Sequence, residues 1–348
     1  MASFNNRRDV SLIKSCFRYI HRQRNTGGKT DTKVGMDRMK LREGLKAGLR
    51  KGFDGFVWIM KILVPVSLFT AVLSWTGWLN YLDFLLQPLM SVMSLPAMAA
   101  FPLLVGMLTN IYAGIAAMAV LPFSKDQMTL MAIFLLVAHN LIQEGVVQAK
   151  SGIHPLKATL FRLIAAIFTV MAVAPFLDIT TTVMGSAGMS LDTPKSFTDV
   201  MMEWGLTTLN LSVMIFFIIM GILTLLELLK TFDLIHPMVR LLNPLLKLMG
   251  LNDKVGFLWL TAVVFGVAYG GAVIVEEVKA GHLTTEELEE LHLSIGINHA
   301  LVEDPSLFLS LGLSPFWLWV PRIITAILAE RLLTLWRVFF RRKSWAKT

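Results

Sequence analysis

Two stretches of this chain repeat one ordered set of polar and helix-breaking residues inside apolar surroundings. His139, Asn140, Gln143 and Glu144 are followed by Gly152, Pro155 and Arg162. Asn298, His299 and Glu303 are followed by Gly312, Pro315 and Arg322. The spacing from glutamate to glycine to proline to arginine matches to within one residue. Ionisable groups are expensive in a bilayer and persist there when they are paired or functional. A duplicated Glu/Arg pair in apolar sequence therefore constrains both the fold and the site.

That the surroundings are a membrane follows from composition. Of 348 residues, 55% are hydrophobic and only 16% are charged, against about 25% charged in soluble domains. Apolar runs cover 53–75, 97–121, 128–147, 158–176, 212–229, 257–275 and 316–336. Several approach the roughly 20 residues that cross a bilayer as a helix. The expected fold is an all-α polytopic membrane protein in contact with the lipid bilayer.

Charge is segregated. Residues 1–52 carry 14 Lys/Arg against 4 Asp/Glu, and residues 331–348 carry 6 Lys/Arg and no acid. The rest holds 12 Lys/Arg against 20 Asp/Glu, so the body between the basic ends is acidic. Basic ends flanking the first and last spans place both termini in the cytoplasm. They are the signature of a membrane flank and not of nucleic-acid binding. The N-terminus lacks the basic–apolar–small pattern of a cleaved signal, so the first span is expected to anchor uncleaved. Residues 10–20 are weakly amphipathic and basic, as for a tail resting on an anionic leaflet, but the polar run 21–32 favours a disordered tail. Cys16 is the sole cysteine, which excludes disulfide frameworks and thiolate metal sites within one chain.

The repeat extends beyond the opening motif. Pro88 matches Pro244, Phe101 matches Phe257, Tyr112 and Gly114 match Tyr269 and Gly271, and the stretch 161–167 matches 321–327, with an offset drifting from 156 to 160. A shared order of this kind indicates duplication. The expected organisation is a basic tail (1–52), a first repeat (53–177), an external linker (178–202), a second repeat (203–336) and a basic tail (337–348). Each half contains up to five segments: 53–75, 79–95, 98–121, 127–147 and 157–177, then 203–229, 234–250, 256–278, 286–303 and 315–336. About 8–10 transmembrane segments result, some short, broken or re-entrant. Loop charge favours inverted halves. Lys150, His154 and Lys157 follow Glu144, whereas no Lys or Arg separates Glu303 from Arg322. Four parallel spans per half remain the alternative.

Candidate site residues follow from the pattern. Glu144 and Arg162 are centred on the Gly152–Pro155 turn, and Glu303 and Arg322 on the equivalent turn. Each pair should face across its own hairpin, about 13–15 Å from the turn at 1.5 Å per residue. Two structural ion pairs are expected, Glu144–Arg162 and Glu303–Arg322. The path for a substrate or ion is expected from His139, Asn140, Gln143, Glu144, Asn298, His299 and Glu303. Tyr112 and Gly114 with Asn110, and Tyr269, Gly270 and Gly271, interrupt apolar spans and could expose backbone groups at mid-membrane. Imidazole, amide and carboxylate groups suit a polyhydroxylated or heterocyclic solute, or a divalent cation. Helix-to-helix polar contacts are the bland reading. Asp304 enters only as a loop charge. No nucleophile elbow, phosphate loop, HExxH or CxxC pattern is present, so neither an enzyme nor a cofactor is expected.

The pieces Pro88, Gly114, His139 to Glu144, Gly152 and Arg162 resemble the Gate, or nucleoside-recognition, domain. That domain occurs in spore-maturation-like membrane proteins, nucleoside transporters and the membrane part of ferrous-iron transporter B. The resemblance covers about residues 45–177 and, more weakly, 200–336. It implies inner-membrane transport of a small polar solute, nominally a nucleoside. The alternatives are a divalent-ion (Fe²⁺) transporter and a non-transporting scaffold working with a membrane partner or a second copy. Unlike the iron transporter, the chain has no GTPase domain and no membrane cysteine.

Overall fold

The computed structural model describes residues 30–179 and 196–345, apart from 235–236, 239–240, 242–243, 245, 247, 249–252 and 282. Of the expected N-terminal tail 1–52, residues 1–29 lie outside these residues and 30–52 are helical; most of the linker 178–202 also lies outside them. The described residues are helical, with no strand among them. A long first helix, α1 (Thr30–Trp75), ends where Gly77 takes a left-handed conformation (φ 74°), the usual glycine stop. A single 3₁₀ turn leads to the short α2 (Asp83–Val92), and a left-handed Ser94 turns the chain into α3 (Ala100–Leu108). The arms on either side of that turn are bent by 88°.

The segment 98–121 does not cross as one span. It folds back at Asn110 into α3 and α4 (Ile111–Ala119), with the Asn110 side chain capping α4 by accepting from the Ala113 amide (3.0 Å). The arms touch where Gly106 faces Gly114. A Cβ on Gly114 would lie 3.3 Å from the Gly106 Cα. Residues eight apart in a continuous helix are about 12 Å apart, so this contact requires a hairpin.

The segment 256–278 repeats the device. Helix α9 (Asp253–Lys279) breaks at Gly266 (φ 76°, ψ 172°), and a Cβ on Gly270 would lie 2.4 Å from the Ala262 Cα. Two hairpins therefore stand where two spans are expected from hydropathy. The Gly106, Ala262 and Val263 carbonyls of the hairpins accept from amides of neighbouring segments, the kind of partner that irregular chain in a membrane needs.

The segments carrying the repeated motif are broken too. Helix α5 (Lys125–Ala138) gives way at His139–Asn140 to α6 (Leu141–Lys150). Helix α10 (Thr285–Asn298) gives way after His299 to α11 (Glu303–Phe308). Equivalent capping boxes start the first members, Ser124 with Gln127 and Thr284 with Glu287. The arginine-bearing helices are α7 (Pro155–Val173) and α12 (Pro315–Trp345), each opened by its proline after the left-handed Gly152 or Gly312. Helices α5, α7, α10 and α12 pack on one another, and the Thr169 and Thr325 hydroxyls meet at 2.7 Å between α7 and α12. Helix α8 (Phe197–Thr231) lies against α1, closely enough that a Cβ on Gly48 would sit 2.6 Å from the Thr224 Cα. Small residues allow such close packing between membrane helices.

Burial runs as a bilayer demands. The inner faces of α5 and α10 are closed off, whereas Phe69, Phe168 and Phe217 are each more than half exposed on the outside. Exposed phenylalanine on that scale has lipid as its natural solvent. Among the described residues four helices are long and apolar enough to cross a membrane, or five with the bent pair. Of the 8–10 segments read from hydropathy, some short, broken or re-entrant, two fold back as hairpins and others are half-length.

Candidate functional site

Each motif helix stops in the same way. His139 is extended (φ −88°, ψ 168°) and Asn140 left-handed (φ 56°, ψ 34°); His299 is extended (φ −61°, ψ 154°) and Ala300 left-handed (φ 47°). The breaks lie against the hairpins. The Asn140 amide donates to the Gly106 carbonyl (3.2 Å), and those of Ala300 and Leu301 donate to Ala262 (3.2 Å) and Val263 (2.8 Å). A helix that stops inside the protein leaves its last carbonyls without partners. Here the arginines supply them, and each histidine ring adds a bond to a carbonyl one turn back.

His139 Nδ1 meets the Leu135 carbonyl at 2.7 Å, and His299 Nδ1 meets that of Ile295 at 3.0 Å. Arg162 donates from Nε to Val137 (2.9 Å) and from Nη2 to His139 (2.9 Å). Arg322 donates from Nε to Ile297 (2.6 Å) and from Nη2 to His299 (2.6 Å). The arginines thus cap broken helices, a role that clamping by glutamate alone did not anticipate. A cation at a helix C-terminus is also favoured by the helix dipole.

The carboxylates do not repeat as the sequence reading had them. Glu144 forms the expected pair, with Oε2 2.7 Å from Arg162 Nη1 and both side chains buried. Glu303 does not pair with Arg322 among the described residues. It accepts from the Tyr112 hydroxyl at 2.6 Å instead, tying the first hairpin to the second break. The position equivalent to Glu144 is Asp304. At the constant offset of 160 that relates His139 to His299, Gly152 to Gly312 and Arg162 to Arg322, Glu144 falls on Asp304 and Gln143 on Glu303. The slip arose from matching glutamate to glutamate. Asp304 is 5% exposed and is the site residue that the sequence reading missed.

At the centre the two breaks meet. The Nε2 atoms of His139 and His299 are 3.1 Å apart. Asp304 Oδ2 lies 3.3 Å from His139 Nε2 and 3.9 Å from His299 Nε2, and Glu144 Oε1 lies 3.3 Å from His299 Nε2. The structure brings His139, Glu144, Asp304, His299, Arg162 and Arg322 together. Asn140 and Gln143 bond to each other (3.2 Å) at a more open position. The Asn298 side chain is buried, and its Oδ1 has no hydrogen-bond partner. Gly114 and Gly270 are hairpin contacts, Asn110 is a cap, and Gly271 is buried beside Gly270. The Tyr269 side chain lies outside the described residues.

No protein-family model matches this chain, and no solved structure does. A curated relative, described as the uncharacterized membrane protein YvoD of Bacillus subtilis (strain 168), is 29% identical over 285 residues, covering 81% of this chain and 91% of the relative. The similarity agrees with the fold in one respect. This is an all-α membrane protein.

Proposed function

We propose that the chain is a multi-pass cell-membrane carrier that binds a small cation where the two broken helices meet. One observation carries this reading: two extended-then-left-handed helix breaks, each held by its own hairpin, converge on buried imidazole and carboxylate groups. Broken helices meeting near the midplane at a repeat interface are the usual construction of a secondary-transporter site.

The proposed topology is inverted. With both hairpins re-entrant, each half crosses three times, by α1, α5–α6 and α7, then by α8, α10–α11 and α12. An odd number of crossings reverses the second half. Lys150 and Lys157 then lie inside with Lys230, Lys254 and Lys279, as the positive-inside rule favours. Both termini are cytoplasmic in this arrangement.

The Gate-like resemblance nominates nucleosides as cargo. The geometry favours an ion, because three potential ligand atoms fall within 4.8 Å of one another. The reading is a carrier and not an enzyme. Uptake by proteoliposomes tests it, with divalent cations and nucleosides offered separately. Saturable cation uptake, reduced on the order of 100-fold by Asp304→Asn, is the expected result. Nucleoside uptake alone would reassign the cargo, and uptake of neither would end the transport reading. In a Cys16→Ser background, single cysteines at Lys150 and Ser314 should label from opposite sides. Labelling from the same side rejects inversion.

A further inference from the structure

We propose that His139, His299 and Asp304 form a specific binding site for a divalent d-block cation of the zinc class, with Glu144 at its edge beside His299. This deepens the carrier reading by naming its ligand.

Protons decide the case. A backbone carbonyl can only accept, so the Nδ1 atoms facing Leu135 and Ile295 carry the ring hydrogens. In a neutral imidazole the other nitrogen then holds a lone pair. Two lone pairs face each other across 3.1 Å, with Asp304 Oδ2 3.3 Å from one of them. Asp304 Oδ2 and Glu144 Oε1 are buried, and neither has a hydrogen-bond partner. Arg162 satisfies the other Glu144 oxygen, but the atoms that face one another are acceptors, and a cation between them relieves their repulsion.

Dimensions narrow the choice of cation. Tetrahedral zinc with bonds of about 2.0–2.1 Å has ligand-to-ligand edges of about 3.3 Å. The His139–His299, His139–Asp304 and His299–Glu144 edges are 3.1, 3.3 and 3.3 Å. The His299–Asp304 edge is wider, 3.9 Å, and Glu144 approaches the group on the His299 side only. Octahedral Mg²⁺ keeps oxygen ligands and several waters. Two imidazoles and carboxylate in a dry, small site select a borderline metal instead. The backbone contacts at Leu135 and Ile295 are the outer partners that fix metal-binding histidines in orientation. Each ligand comes from a helix break, and Asp304 and His299 come from the opposite half to His139 and Glu144. One bound ion would therefore join the two repeats.

The test is equilibrium binding to the purified full-length protein bearing a tag without histidine. Zn²⁺ should bind with one-to-one stoichiometry, and Co²⁺ in its place should give the intense visible absorption of a tetrahedral centre. His139→Ala, His299→Ala and Asp304→Asn should each weaken binding on the order of 100-fold, while His154→Ala leaves it unchanged. Zinc K-edge absorption of the wild type needs no variant to fold. Two imidazoles per zinc at about 2.0–2.1 Å are expected. One imidazole or none, or no stoichiometric zinc, overturns the proposal. Stoichiometric binding without transport in liposomes leaves the site standing and removes only the carrier reading.

Discussion

The two helix breaks share a backbone and differ in how their side chains close it. In the first, Glu144 reaches Arg162 at 2.7 Å, and Arg162 also caps two carbonyls. In the second, the acid is one methylene shorter. Arg322 caps its two carbonyls, but its Nη1 has no hydrogen-bond partner, and neither does Asp304 Oδ2. The left-handed position is Asn140 in one copy and Ala300 in the other. The two copies share the frame, namely break, hairpin contact and arginine cap. The first break carries a formed ion pair, with one Glu144 oxygen still open, and the second leaves both Arg322 Nη1 and Asp304 Oδ2 unpartnered. A site that must release its ligand is better served by one firm wall and one adjustable wall than by two firm ones.

The largest effect should come from the firm wall. Arg162→Met removes a buried ion pair and uncovers two carbonyls. Breaking one side of a buried pair costs about 3–5 kcal/mol. Arg322→Met uncovers two carbonyls without breaking a formed pair and should cost less, about 2–3 kcal/mol at the worth of a charged hydrogen bond left unmade. Thermal unfolding in detergent, read against the wild type, ranks the two. The reverse order would mean that Arg322 has the stronger partner and that the asymmetry described here is not energetic.

The hairpins give a middle-sized contrast. Gly270→Ala would place a Cβ 2.4 Å from the Ala262 Cα, a collision with backbone. Gly114→Ala would meet the Leu135 Cδ1 at 2.7 Å, a side-chain tip that can rotate. Overpacking typically costs about 1–3 kcal/mol. Gly270→Ala should fall at the upper end and Gly114→Ala at the lower, measured by the same melts. Equal losses would mean that the two hairpins pack alike.

These contrasts also mark what could be read beforehand. The repeated motif, the membrane fold and the Glu144–Arg162 pair were legible because each needs only spacing and hydropathy. The hairpins were not. Apolar arms meeting at Asn110 or Gly266 have the hydropathy of one continuous span, and only the Gly106–Gly114 and Ala262–Gly270 approaches reveal the fold-back. Asp304 was legible and was missed. A fixed offset of 160 points to it, but matching residue type for type drew the alignment one place aside to Glu303. The arginine caps could not be read, because their partners are backbone carbonyls and carry no sequence signature.

The smallest contrast lies in the left-handed residues themselves. Asparagine tolerates positive φ because its short polar side chain bonds locally, as Asn140 does with Gln143. Alanine has no such compensation, and the left-handed region costs it about 1–2 kcal/mol. Ala300 holds φ 47° because its amide and that of Leu301 are pinned to Ala262 and Val263. Removing the Cβ releases that strain and adds flexibility to the unfolded chain, an opposing effect of about 0.4–1 kcal/mol. Ala300→Gly should therefore stabilise by up to about 1 kcal/mol. Asn140→Ala should destabilise by about 1 kcal/mol, since it imports the same strain into the first copy. Opposite shifts in melting temperature check the pair. On the carrier reading proposed above, the strained second break is the candidate for the one that changes conformation. If Ala300→Gly gains stability and slows cation uptake, the strained break is part of the transport cycle. If it gains stability and leaves uptake unchanged, the strain is a residue of divergence and the mobile wall must be sought in the hairpins.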